Sequence, residues 1–75
     1  MPKIQKFTAI IEREDDGYVS LCPELDIASQ GLTQAEAKEN LVEAIELFLE
    51  VADSTEVARR LQKETLVTQL EVTVA

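Results

Sequence analysis

The stretch that decides the fold runs from residue 31 to residue 52 and reads GLTQAEAKENLVEAIELFLEVA. Thr33 and Glu36 form a T-x-x-E capping box, in which each side chain accepts a hydrogen bond from a backbone N–H group at a helix start. Apolar residues then recur at the three- and four-residue spacing of one helix face. They are Ala37, Leu41, Ala44, Ile45, Phe48, Leu49 and Ala52. The pattern predicts a helix over residues 34–52.

Three short strands are predicted before this helix. Residues 4–13 are rich in β-branched and aromatic side chains, and residues 18–22 return antiparallel after a tight turn at Asp16-Gly17. Pro23 ends the second strand because it cannot donate to a ladder, and residues 27–30 form a third strand that Gly31 stops. Alternation predicts a covered face with Phe7, Ala9, Ile11, Val19, Leu21, Val72 and Val74, and an open face with Thr8, Ile10, Tyr18, Ser20 and Cys22.

Two further elements are predicted after the helix. Ser54 can cap a shorter helix that continues to Glu64, and residues 66–74 alternate like a strand. The whole chain, residues 1–75, is then one α+β two-layer β-β-β-α-β domain. A right-handed crossover would place the fourth strand parallel to the first, beside the three-stranded antiparallel meander.

Composition narrows the possible functions. Fifteen acidic and seven basic residues give a net charge of −8, which disfavours direct nucleic-acid binding because phosphates are bound by Lys and Arg. The chain has no histidine and a single cysteine, Cys22, so the usual general base, Ser-His-Asp triads and cysteine-based zinc sites are excluded. We therefore expect no catalytic residue, no metal and no cofactor.

Size and hydropathy set expectations about partners and location. A chain of 75 residues buries a thin core and commonly gains stability from a partner, so we expect a homo-oligomer, a dimer or higher. No apolar stretch approaches the ~20 residues that span a bilayer, and the start lacks a signal-peptide core. We expect a cytoplasmic protein without a membrane partner.

The stretch from Phe7 to Leu49 resembles the N-terminal domain of HicB antitoxins. The first pieces of this resemblance are Asp16-Gly17-Tyr18-Val19 and Cys22-Pro23-Glu24-Leu25, the second similar to a C-P-[DE]-[LF] pattern. The next is the run from Gly31 through Thr33 and Glu36 to Ala37, similar to G-x-T-x-x-E-A, followed by Asn40-Leu41, Ala44-Ile45 and Leu49. Leu32 departs from the polar or acidic residue that is common in the family. The structural motif residues are thus Gly17, Pro23, Gly31, Thr33, Glu36 and Ala37.

The resemblance implies a partially degraded ribonuclease H-like fold and an antitoxin role. Such domains hold a small basic RNA-cleaving toxin, HicA, inactive in type II toxin–antitoxin pairs. Many members append a DNA-binding segment, and nothing resembling one follows here, so we expect a short form without it. The alternative is an orphan HicB-like dimerisation or regulatory module with an unrelated protein partner.

Candidate partner-binding residues lie mostly on the predicted helix. Glutamates recur on one narrow arc, where they either face water or attract a basic protein. Val42, Leu47 and Val51 widen the apolar surface, either to pack on the shorter helix through Val57 and Leu61 or to contact another chain. An acidic cluster near the first hairpin is best explained as solvated, so nuclease activity is rejected. The candidates are Ile10, Tyr18, Glu24, Glu39, Glu43, Glu46 and Glu50.

Overall fold

Three strands and two helices follow one another in the computed structural model, which describes residues 4–75. The elements are β1 (Ile10–Glu14), β2 (Gly17–Cys22), β3 (Ile27–Gly31), α1 (Gln34–Val51) and α2 (Ser54–Leu61). The sheet has the order β1-β2-β3, and both strand pairs are antiparallel. The α+β class and the three-stranded meander are confirmed.

The β1–β2 turn is tight, as predicted, but it is built differently. Its two loop residues are Asp15 and Asp16, and the positive φ, 52°, belongs to Asp15. Aspartate tolerates this left-handed conformation better than most residues. Gly17 does not have a positive φ, and it is needed for another reason, since a Cβ there would lie 2.8 Å from the carbonyl oxygen of Gly31.

Strand β1 begins six residues later than the sequence predicted. Ile10 pairs with Leu21, and the same register continued backwards would bring Thr8 opposite Pro23. Because Pro23 has no N–H to donate, the ladder cannot continue there. Residues 4–9 therefore lie outside the strand.

The predicted faces of β2 are wrong. The register places Ser20 opposite Ile11, so the two side chains share one face of the sheet. That face is the one under α1, because the Ser20 hydroxyl is buried and donates to the carbonyl oxygen of Ala37 at 2.9 Å. Tyr18 and Cys22 share this face by alternation, whereas Val19 and Leu21 point to the open face.

Helix α1 packs on this sheet through the stripe that its sequence predicted. Ala37, Leu41 and Ile45 are its buried residues. Leu41 and Ile45 join Cys22 and Leu25 in one cluster, and the partly buried side chains against it are Phe7, Ile27 and Phe48. Gly31 permits the close approach of helix and sheet, since a Cβ there would lie 2.5 Å from the backbone nitrogen of Ala37.

Both helix starts are capped, one of them as predicted. Thr33 accepts from the Glu36 N–H at 3.0 Å, and Glu36 accepts from the Leu32 N–H at 3.1 Å. In α2 the cap is Asp53, which accepts from the Glu56 N–H, and not the predicted Ser54. The helix ends at Leu61, three residues before the predicted end.

The predicted fourth strand does not form in this chain. Residues 66–74 pair with no strand and are exposed, with Leu66 at 83% and Val74 at 86%. A strand exists only beside a neighbour that accepts and donates its backbone hydrogen bonds. Residues 66–74 have the alternation of apolar residues that is typical of a strand, but within residues 4–75 no neighbouring strand pairs with them.

Candidate protein-binding surface

An acidic strip lies along the outer side of α1. We use this name for Glu39, Glu43, Glu46 and Glu50, all of which are exposed. At 3.6 residues per turn they fall within roughly 60° of the helix circumference, opposite the buried stripe. The structure therefore brings four of the predicted partner-binding residues together on one accessible surface.

Exposed apolar residues flank the acidic strip on both sides. Val42 and Leu49 lie along one side, and Leu47 and Val51 lie along the other. Leu47 is 61% exposed and Val51 is 80% exposed, so α2 does not cover them. The prediction that this surface packs on the shorter helix is wrong, and contact with another chain is the alternative that stays open. Apolar side chains beside charged ones are typical of protein interfaces.

Helix α2 is held elsewhere, mainly by Arg60. Its guanidinium donates to the carbonyl oxygen of Leu25 and to the carboxylate of Glu56, and it lies 4.4 Å from the centroid of the Phe48 ring. Arg59 pairs with Glu56 as well. The two arginines of α2 are thus paired within the chain, with Glu56 as their carboxylate partner.

Glu24 has a structural role at the end of β2. Its carboxylate accepts two hydrogen bonds from Thr8, one from the backbone N–H at 3.0 Å and one from the hydroxyl at 2.7 Å. It thereby accepts the Thr8 N–H beyond the point at which Pro23 ends the β1–β2 ladder. Burial by itself raises the pKa of Glu24, but the hydrogen bonds from Thr8 outweigh it, so this pKa lies below its usual value. The side chain remains partly exposed, and its predicted role as a partner contact stays a prediction.

We expect the variant Glu24→Gln to weaken the fold at neutral pH and to reduce its sensitivity to acid. A carboxylate whose pKa is lowered in the folded state stabilises that state above the unfolded pKa, and this contribution is lost as the pH falls through the folded pKa. Urea unfolding at a series of pH values should therefore show the two proteins converging below about pH 4. Glu12→Gln, at an exposed position of β1, is the matched control. Parallel curves for the wild type and Glu24→Gln would contradict the assignment.

Cys22 belongs to the buried core, and its thiol contacts Glu24. It is fully buried, and its thiol donates to Glu24 Oε1 at 3.5 Å. Burial raises the pKa of the Cys22 thiol, which keeps it protonated and unreactive. The sequence placed Cys22 on the open face, and only the register of β1 and β2 shows that it belongs to the core.

The open face of the sheet is more apolar than the sequence indicated. Ile10 lies there as predicted and is 36% exposed, and Leu21, which was expected in the core, is also 36% exposed. Ala28 pairs with Leu21 and shares this face. Tyr18, the other predicted contact residue of the sheet, is half-buried on the side of α1. Ile10 and Tyr18 both remain predicted contact residues, Ile10 on the open face and Tyr18 on the side of α1.

Metal binding and membrane insertion can be assessed for the described residues. Within residues 4–75, no group of three or more His, Cys, Asp or Glu side chains is placed to hold a metal ion. Neither α1 nor α2 combines the length and the apolar character that a helix needs to cross a bilayer.

Comparison with known proteins identifies the family. A UPF0150 protein of Helicobacter pylori strain J99 is 35% identical over 68 residues, which are 89% of this chain and 94% of that protein. Two UPF0150 proteins of Synechocystis are 46% identical over 50 residues and 53% identical over 47 residues, and these matches span 63% and 65% of their lengths. No family model and no solved structure matches the chain. Because the Helicobacter relative is matched along almost its whole length, the chain belongs to the UPF0150 family.

Proposed function

We propose that this chain is a non-catalytic, antitoxin-like domain that neutralises a small basic RNA-cleaving toxin of the HicA type by binding it. The observation that carries the proposal is the acidic strip of α1 with its exposed apolar flanks. The strip offers charge complementarity to a basic protein, and the flanks offer apolar area that can be buried on contact. The resemblance to HicB antitoxins supplies the class of partner.

The other charged groups support a protein partner over a nucleic acid. The net charge is −8, and the basic cluster of α2 is tied to Glu56, Leu25 and Phe48. Phosphate binding depends on free Lys and Arg side chains, and Arg60 is not free. A binding role without chemistry also agrees with the two functional groups of the core, because Cys22 and Glu24 are used to hold the fold.

A reconstitution experiment tests the proposal. The purified chain is mixed with the small basic protein encoded by the neighbouring reading frame, and the cleavage of RNA is followed as the ratio of the two is raised. We expect cleavage to stop at a fixed stoichiometric ratio, and co-expression to rescue growth. A neighbouring protein that is neither small, basic nor toxic, or cleavage that continues in excess of this chain, would overturn the proposal.

A second candidate function is an orphan HicB-like dimerisation or regulatory module with an unrelated protein partner. The observation that favours it is the apolar surface left uncovered at residues 66–74, which suits self-association. This candidate predicts a stable homo-oligomer and no toxin gene nearby. The reconstitution experiment separates the two, since only the first predicts loss of RNA cleavage.

Three finer expectations belong to the proposal. They are the partially degraded ribonuclease H-like fold with residues 66–74 as the strand beside β1, a homo-oligomeric state, and a cytoplasmic location. The first is supported by the alternation of apolar residues in this segment. A structure of the purified protein at high concentration checks the first two together.

A further inference from the structure

The chain is too extended for a compact monomer of its size. It exposes 6581 Å², whereas size scaling gives roughly 4,600 Å² for a compact monomer of 8.3 kDa. Its radius of gyration is 14.6 Å, against roughly 11 Å for a compact domain of this length. The excess of roughly 2,000 Å² is more than the 800 Å² or so that each partner buries in a standard interface.

Much of the exposed apolar surface belongs to residues 66–74. Leu66, Leu70, Val72 and Val74 are each at least 69% exposed. These four positions are even-numbered, so an extended backbone places them on one face. Glu71 is the only charged residue of the segment. The segment therefore lacks the several charges that usually prevent an exposed strand from pairing with another chain.

The outer edge of β1 is a free edge that such a segment can join. Glu14 and Gly17 flank a two-residue loop and form a hydrogen-bonded pair, so even-numbered residues of β1 direct their backbone groups at β2. Thr8 follows the same alternation of backbone directions, since its N–H points to Glu24 on the β2 side. The odd-numbered residues consequently direct their N–H and C=O groups outward, where the described chain offers no strand. These residues are Ile11 and Arg13 of β1, and the same alternation continued backwards adds Phe7 and Ala9.

A groove lies beside the segment that leads into β1. It has a volume of about 540 Å³ and lies between residues 4–9 and α1, where Phe7, Val42 and Ile45 contribute apolar lining. The opposite sheet edge is less open, because the Asn40 side chain donates to the Gln30 carbonyl oxygen at 2.7 Å. The unfilled apolar groove and the unpaired backbone groups thus lie together on the β1 side.

We propose that residues 66–74 of one copy add as a strand to the free edge of β1 in a second copy, with their apolar face in the groove between residues 4–9 and α1. In the single chain this segment is exposed, and the excess area of the whole chain is larger than each partner of a standard interface buries. Reciprocal exchange about a two-fold axis would use both segments and both edges. The inference goes beyond the proposed function and does not depend on it, because it concerns the chain alone.

Sedimentation equilibrium of four variants at micromolar concentration tests the exchange. Ala9→Pro removes an outward N–H immediately before β1, and Ala28→Pro makes the same substitution at an outward-pointing position of the other sheet edge. Val72→Asp places a charge on the apolar face of the segment, and Thr73→Asp places one on its other face. We expect Ala9→Pro and Val72→Asp to raise the dissociation constant of the dimer about tenfold or more, and the two controls to leave it near the wild-type value.

Mixing Ala9→Pro with Val72→Asp distinguishes exchange between copies from docking within one copy. The first variant retains an intact segment and the second an intact edge, so we expect a mixed dimer that is tighter than either variant alone. A monomeric wild type, a dimer that Val72→Asp does not weaken, or two variants that fail to complement each other would overturn the proposal.

Hydrogen exchange covers the case in which Ala9→Pro does not fold. We expect the amides of Ala9, Ile11 and Arg13 to be protected in the wild-type dimer and to lose that protection in Val72→Asp. Equal exchange of these amides in the two proteins would count against strand addition. Circular dichroism of each variant shows whether the fold is kept.

Discussion

The variant Leu41→Ala should lose about 3 kcal/mol of unfolding free energy, the largest stability effect that we expect from a single substitution in this chain. Leu41 is 2% exposed and belongs to the buried cluster with Cys22, Leu25 and Ile45. Truncation removes apolar area from a core that has few other members, and the cavity left beside the sheet adds to the loss. For a domain of this size the melting temperature should fall by about 15 °C.

The matched control is Leu47→Ala on the same helix. Leu47 is 61% exposed, so the same change there should alter the unfolding free energy by about 0.5 kcal/mol or less. Both variants are compared with the wild type at one fixed protein concentration, because self-association makes the melting temperature depend on concentration. Similar losses for Leu41→Ala and Leu47→Ala would show that the described packing of α1 is wrong.

The main helix could be predicted from the sequence because its determinants are local. The Thr33 and Glu36 side chains reach backbone groups within four residues, and the stripe of Ala37, Leu41 and Ile45 follows helical spacing. Local signals of this kind depend little on the rest of the fold. The predicted start of α1 and its buried face were therefore right.

The faces of β2 could not be predicted because the strand is ambiguous on its own. Val19 and Leu21 are apolar, but so are Tyr18 and Cys22 on the other phase. The decision depends on the register with β1, which a two-residue loop sets, and a change of one residue exchanges the two faces. The buried Ser20 is satisfied only by the Ala37 carbonyl, a contact that no local pattern indicates.

The role of Glu24 was missed for a similar reason. Within the sequence it is one acidic residue among fifteen, and its hydrogen-bond donor, Thr8, is distant along the chain. The signal that could have indicated it is Pro23, because a proline has no N–H for the Thr8 carbonyl and so ends the ladder, which leaves the Thr8 N–H to find an acceptor outside the ladder. The carboxylate of Glu24, next to that proline, is well placed to accept this hydrogen bond.

Reversing the charge of two residues of the acidic strip should slow association with a basic partner by about tenfold to a hundredfold at low salt. The double variant Glu43→Lys with Glu46→Lys changes the net charge from −8 to −4, since each substitution adds two positive units. Both side chains are exposed, so the fold should be kept. The effect should lie in the association rate more than in the dissociation rate, because charges at an interface act mainly by steering the encounter.

The control for this prediction carries the same net charge in another place. Glu12→Lys with Glu14→Lys also changes −8 to −4, on exposed positions of β1. Stopped-flow association with the neighbouring small basic protein is measured for both double variants over a series of salt concentrations. If the basic partner binds at the acidic strip, the association rate of the strip variant should fall far more than that of the control variant. The difference between the two association rates should disappear near 1 M salt, where the screening length falls to about 3 Å. Equal losses in the two variants would mean that the partner responds to the total charge of the molecule, and a gap that persists in high salt would place the contribution of Glu43 and Glu46 in short-range contacts.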